Sequence, residues 1–93
     1  MNRVLFNSFC QVRFNSYRAA VNVLNKMRRT ARILGHATCA DYEEFLGYEA
    51  HYIDTQWGLT MKELYDSKVI GNEIVGYYIL FPQPHTIFNQ NGC

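Results

Sequence analysis

Asp66 to Pro82 reads DSKVIGNEIVGYYILFP, and the fold class turns on whether the apolar half of this stretch is a helix or a strand. Ile74, Val75, Tyr77, Tyr78, Ile79 and Phe81 are all good strand formers, since β-branched and aromatic side chains fit a pleated surface. A lone strand, however, has no evident partner in the rest of the chain. The helix reading has its own signals: Ile70 can staple onto a first turn, Gly71 or Asn72 can cap it, and Pro82 marks an end. A fourth helix ending before Pro82 is therefore expected. Its residues from Ile74 to Phe81 lack a polar face, which in so small a domain implies burial in the core or against another chain.

Upstream, Thr60 and Glu63 have the spacing of a capping box, in which hydroxyl and carboxylate each accept from the other residue's backbone amide. They open a short helix through Met61, Leu64 and Tyr65. Thr38 and Asp41 repeat the spacing, with Asp in place of Glu, and open a helix expected to run to about Trp57 and end at Gly58. Tyr42, Phe45, Leu46, Ile53 and Trp57 form its apolar face, with Glu43, Glu44 and Asp54 pointing away. Glu49 and Gln56 break this pattern, Glu49 falling near the middle of the apolar stripe.

The motif Phe-Asn-Ser occurs twice, at Phe6–Ser8 and Phe14–Ser16, and both copies carry helix-start chemistry. Asn15 or Ser16 should begin a long helix from about Tyr17 to Leu34, closed by Gly35; Asn7 or Ser8 should begin a short helix or a turn. At about 100° per residue, Ala20, Val23, Leu24, Met27, Ala31 and Leu34 share one side and Arg18, Arg29 and Arg32 the other, with Lys26 and Arg28 flanking. Residues 82 to 93, PQPHTIFNQNGC, are too polar and proline-rich for anything but an extended tail, with only Ile87 and Phe88 to pack. The expected fold is all-α: a single domain over residues 1–93, in which an N-terminal arm or short helix (1–14) precedes a small bundle of two long antiparallel helices, a shorter helical hairpin and the tail.

The composition, 48% hydrophobic and 15% aromatic over 93 residues, can fill one core and argues against disorder. No run approaches the roughly 18 apolar residues of a membrane span. Cys10, Cys39 and Cys93 are an odd number without Cys-x-x-Cys spacing, which points to free thiols and a cytoplasmic location. Charge is unevenly placed: residues 1–40 carry +7 and no acid, whereas residues 41–93 carry −6. An Arg-rich, acid-free start also fits a mitochondrial presequence, and the matrix is the minority location.

Few residues carry chemistry. His36 and Cys39 are half of a zinc site, but His51 is the nearest further ligand and lies about 18 Å from Cys39 along a helix, so no metal is expected. Cys39 opens a helix, where a thiol is more acidic, yet no orienting group or oxyanion site accompanies it. The glycines are scattered, with no phosphate-cradling loop, and no cofactor is expected. Glu49, if core-facing, needs a partner, and Arg28 at the edge of the first long helix is the natural one: a buried polar pair.

The expected function is a small non-enzymatic protein-interaction module, an adaptor, inhibitor or complex subunit, that binds another protein or a second copy of itself. Tyr77, Tyr78, Phe81, Ile87 and Phe88 are the expected partner-binding residues, since tyrosines bury a large ring while keeping a polar tip. The alternative is nucleic-acid binding by the basic face, Arg18, Arg29 and Arg32. Against it stand the near-neutral pI of 7.7 and an expected acidic stripe on the second long helix.

Overall fold

A computed structural model describes residues 12–49 and 55–86 of the chain. The first turn or helix expected at Asn7 or Ser8, the thiols Cys10 and Cys93, and His51, Ile53, Asp54, Ile87 and Phe88 lie outside the described residues. Among those residues no helix is long and apolar enough to cross a membrane.

The long helix α1 spans Tyr17–Leu34, as its sequence periodicity dictates. The Ser16 hydroxyl accepts from the Ala19 amide at 3.1 Å, and Gly35, at φ 93°, donates its N–H to the Ala31 carbonyl. Ala20, Val23, Leu24, Met27 and Ala31 are buried, whereas Leu34, expected in the same stripe, is 63% exposed at the C-terminal end of the helix.

The remainder is not a helical bundle. Strand β1 (His36–Thr38) leads into α2 (Cys39–Phe45), and β2 (Trp57–Thr60) leads into α3 (Met61–Asp66). In each case the last strand residue, Thr38 or Thr60, is also the helix N-cap, and both capping boxes form. The strands pair antiparallel, Ala37 opposite Leu59 and Thr38 opposite Gly58, so the two strand–helix units run in opposite directions. Their backbones are close: a Cβ on Gly58 would collide with the Ala37 carbonyl oxygen and Thr38 Cα. Short strand β5 (His85–Thr86) joins the other edge of β2, giving the order β1-β2-β5.

The second long helix expected from Thr38 to Trp57 thus ends at Phe45, with Leu46 as its C-cap and Gly47 at φ 91°, and Trp57 belongs to a strand. The two sequence anomalies, Glu49 and Gln56, mark positions outside that helix. The stretch 82–93 is also not simply a tail, since His85 and Thr86 pair with Gly58 and Trp57.

Asp66 to Pro82 forms a β-hairpin rather than a fourth helix: β3 (Lys68–Asn72) pairs antiparallel with β4 (Gly76–Leu80), so the fold is α+β. The missing partner strand was the segment immediately upstream, which the helix reading had used as a staple and cap. Asn72 does cap, but it caps a turn. Its side-chain oxygen accepts from the amides of Ile74 at 2.8 Å and Val75 at 2.9 Å, holding a three-residue loop instead of a helical turn. Gly71, at φ 120°, lies against the Gly76 carbonyl oxygen and Tyr77 Cα, where a side chain would collide with backbone.

One core unites these parts. The buried stripe of α1 meets Ala37 and Leu59 from the three-stranded sheet, Tyr42 from α2, Leu64 from α3 and Ile79 from β4. Phe81 closes it, its ring edge-on to Tyr42 at 5.1 Å.

Candidate docking surface

The β3–β4 hairpin has two faces and two edges, and they are used unequally. Side chains alternate across a strand. On the inner face Ile79 is 1% exposed, Val69 packs on the core, and the Tyr77 ring meets Tyr17 edge-on at 6.0 Å. On the outer face Ile70 stands opposite Tyr78 and Lys68 opposite Leu80. An antiparallel sheet packed on one side normally presents polar residues on the other; here Ile70 is 38% and Leu80 50% exposed. The loop at the tip adds Ile74 at 92% and Val75 at 45% exposure.

The edges differ too. Tyr77 exchanges both backbone hydrogen bonds with Phe14, donating to the Phe14 carbonyl at 3.1 Å and accepting from its amide at 2.7 Å. Because ladder bonding alternates, Tyr77 does not bond β3, so Gly76, Tyr78 and Leu80 do. The facing residues Asn72, Ile70 and Lys68 then turn their groups inward to β4. A trans peptide points its N–H and C=O in opposite directions, which leaves the N–H and C=O of Val69 and Gly71 directed away from the hairpin. Among the described residues no strand pairs with that edge of β3.

The base of the hairpin is fixed by Arg28. Its Nε donates to the Leu64 carbonyl and its Nη2 to the Ser67 carbonyl, both at 3.0 Å, and its guanidinium lies 5.1 Å from the Tyr65 ring centroid. At the last turn of α3 the guanidinium fork is a second donor to the Leu64 carbonyl, which also accepts from the Ser67 amide at 3.2 Å, reaches the Ser67 carbonyl as well, and complements the helix dipole. Arg28 therefore does not pair with Glu49, which is exposed on the stretch after α2. The packing of two long helices that was to bring them together is absent.

A second polar cluster ties β5 to α3. Glu63 Oε1 accepts from the Thr60 amide at 2.8 Å and lies 2.8 Å from His85 Nε2. Burial pushes the Glu63 carboxyl up, but the Thr60 amide and the His85 ring outweigh it, so its pKa is lowered below the ordinary 4.5. This is cap chemistry with a tether from β5.

Of the three expected partner-binding residues that are described, Tyr78 lies on the outer face, Tyr77 turns inward and Phe81 is core at 6% exposure; Ile87 and Phe88 lie outside the described residues. Ile74 and Leu80 fall within the Ile74–Phe81 segment expected to meet a partner, whereas Ile70, read as a helix staple, was not among the expected contact residues. Arg18, Arg29 and Arg32 are exposed along α1. Cys39 is buried at 3% exposure. A groove of about 320 Å³ between residues 12–15, α1 and α2 is lined chiefly by Val12, Phe14, Ala19, Val23, Phe45 and Leu46, with polar side-chain atoms only from Arg13, Asn15 and Tyr48. No group of three metal-ligating side chains occurs among the described residues. No protein family, curated protein or solved structure matches the chain.

Proposed function

We propose that the chain is a small non-enzymatic interaction module whose docking element is the β3–β4 hairpin, and that the partner of this surface is a second copy of the chain. The carrying observation is an open strand edge beside an outer face of Ile70, Tyr78 and Leu80. An exposed edge next to apolar side chains is a template for strand addition, and native proteins normally blunt such edges.

Self-pairing fits the strand. Antiparallel pairing of two β3 strands about Ile70 sets Val69 against the partner's Gly71 and Gly71 against the partner's Val69, which gives four backbone hydrogen bonds across a two-fold axis. Ile70 meets its own counterpart, and the two outer faces merge into one apolar strip. The strand carries Lys68 near its start, and Glu73 follows its end. Antiparallel pairing brings each Lys68 toward the partner's Glu73, whereas parallel pairing would bring like charges together.

Sedimentation equilibrium of the full chain tests this. Wild type should show a reversible monomer–dimer equilibrium, and Ile70→Lys, which places two ammonium groups together at the axis, should shift it to monomer with an unchanged melting temperature below the dimerisation range. A wild type that stays monomeric to millimolar concentration, or an Ile70→Lys variant that dimerises as well as wild type, contradicts the proposal.

A further inference from the structure

The outer side of α1, opposite the buried stripe, is a second surface with no assigned use. Arg18, Asn22, Asn25, Lys26, Arg29 and Arg32 are all exposed on it. Arg18 to Arg32 covers about 21 Å of helix at 1.5 Å per residue. No acid occurs in the helix, and none of these basic residues forms an ion pair with a described residue; the Lys26 ammonium lies 5.9 Å from the Phe45 ring centroid. Of the described acids, Asp41 and Glu63 are held in capping boxes, Glu43 and Glu44 lie on the short α2, and Glu49, Asp66 and Glu73 are exposed on other segments. Glu43 and Glu44 thus share no long helix with further acids, and Asp54, the third member of the expected acidic stripe, lies outside the described residues.

We propose that this face of α1 binds the sugar–phosphate backbone of duplex nucleic acid. A duplex carries one negative charge per roughly 1.7 Å of axis, so a rigid cationic row of this length meets several phosphates at once. Arg18, Lys26, Arg29 and Arg32 make the phosphate contacts, and the amides of Asn22 and Asn25 lie between them as donors to phosphate or base edges. A duplex fits better than a single strand, because single-strand sites stack bases on aromatic side chains and Arg18 to Arg32 contains none. The site shares no residue with the hairpin, so it stands whether or not the chain dimerises.

The test is fluorescence anisotropy of the full chain with short DNA and RNA duplexes, the matching single strands, phosphatidylserine vesicles and an acidic peptide, over a salt series. Four phosphate contacts predict a log–log salt slope of about −3.6, hence micromolar duplex binding at 50 mM salt that weakens roughly 150-fold by 200 mM. Arg29→Glu/Arg32→Glu should lower the slope by about 2 and weaken binding more than tenfold, while Lys62→Glu on α3 should leave both unchanged. Circular dichroism and melting temperature should match wild type, since both arginines project into solvent. Absence of duplex binding at 50 mM, an unaltered slope in the double variant, or tighter binding to single strands, vesicles or the acidic peptide would each overturn the proposal.

Discussion

Arg28 shows how much one side chain can organise. A residue at the edge of the apolar stripe of α1 reaches two carbonyls at the end of α3 and stacks on Tyr65. Hydrogen bonds from a charged donor contribute about 1.5 to 3 kcal/mol each. With two such bonds, both half-buried, Arg28→Ala should lower stability by about 3 kcal/mol in urea unfolding, the low end of their sum, and Arg28→Lys should recover little, because an ammonium cannot span both carbonyls. Glu49→Ala should change stability by less than about 0.5 kcal/mol, as expected of an exposed side chain. The sequence pattern assigns Arg28 to Glu49 as a buried pair, and the true acceptors were not legible in it, since carbonyls of a distant helix end leave no mark on the pattern of charged residues. Glu63 answers to pH. Its carboxyl is held below the ordinary value, so its contribution is complete above pH 4.5 and is lost as pH falls through the lowered value. Glu63→Gln should flatten the acid limb of the stability profile in that window; an unchanged limb would show that the cap is energetically silent.

At the scale of elements, local signals were legible wherever one residue's chemistry decides the outcome. Ser16 and Gly35 bound α1, and Thr38 with Asp41 and Thr60 with Glu63 start α2 and α3. What could not be read locally was length and pairing. A capping box fixes where a helix begins and says nothing of where it ends, so α2 was overextended by the partial periodicity beyond Phe45. In the hairpin the same Asn72 can cap a helix or a turn, and only the register of Val69 opposite Ile79 decides between them. Nonlocal pairing also explains Gly58, read as a helix end but present because β1 passes so close that Cβ has no room. Gly58→Ala should destabilise by about 2 kcal/mol or more through that backbone collision, far beyond the ordinary range for a surface substitution. Asn72→Ala, which frees the loop amides of Ile74 and Val75, should cost about 1 kcal/mol.

At the scale of the whole molecule, the uneven charge of the sequence becomes a division of labour. Arg18, Arg29 and Arg32 of α1 stay exposed and form no ion pair with a described residue, Arg28 turns inward to the end of α3, and Asp41 and Glu63 serve helix starts. The apolar residues of Asp66–Pro82 divide in the same way between a core face and an exposed outer face, which a helix would have merged into one buried rod. The central claim is that the free edge of β3 pairs with itself. The most direct measurement is residue-resolved amide hydrogen exchange of the full chain at low and high protein concentration. Ile70, Tyr78 and Leu80 amides, bonded within the hairpin, should be protected at both; Val69 and Gly71 amides should exchange freely when dilute and gain protection as concentration rises. Val69 and Gly71 amides that exchange equally fast at every concentration, or protection that grows on another element instead, would contradict the account.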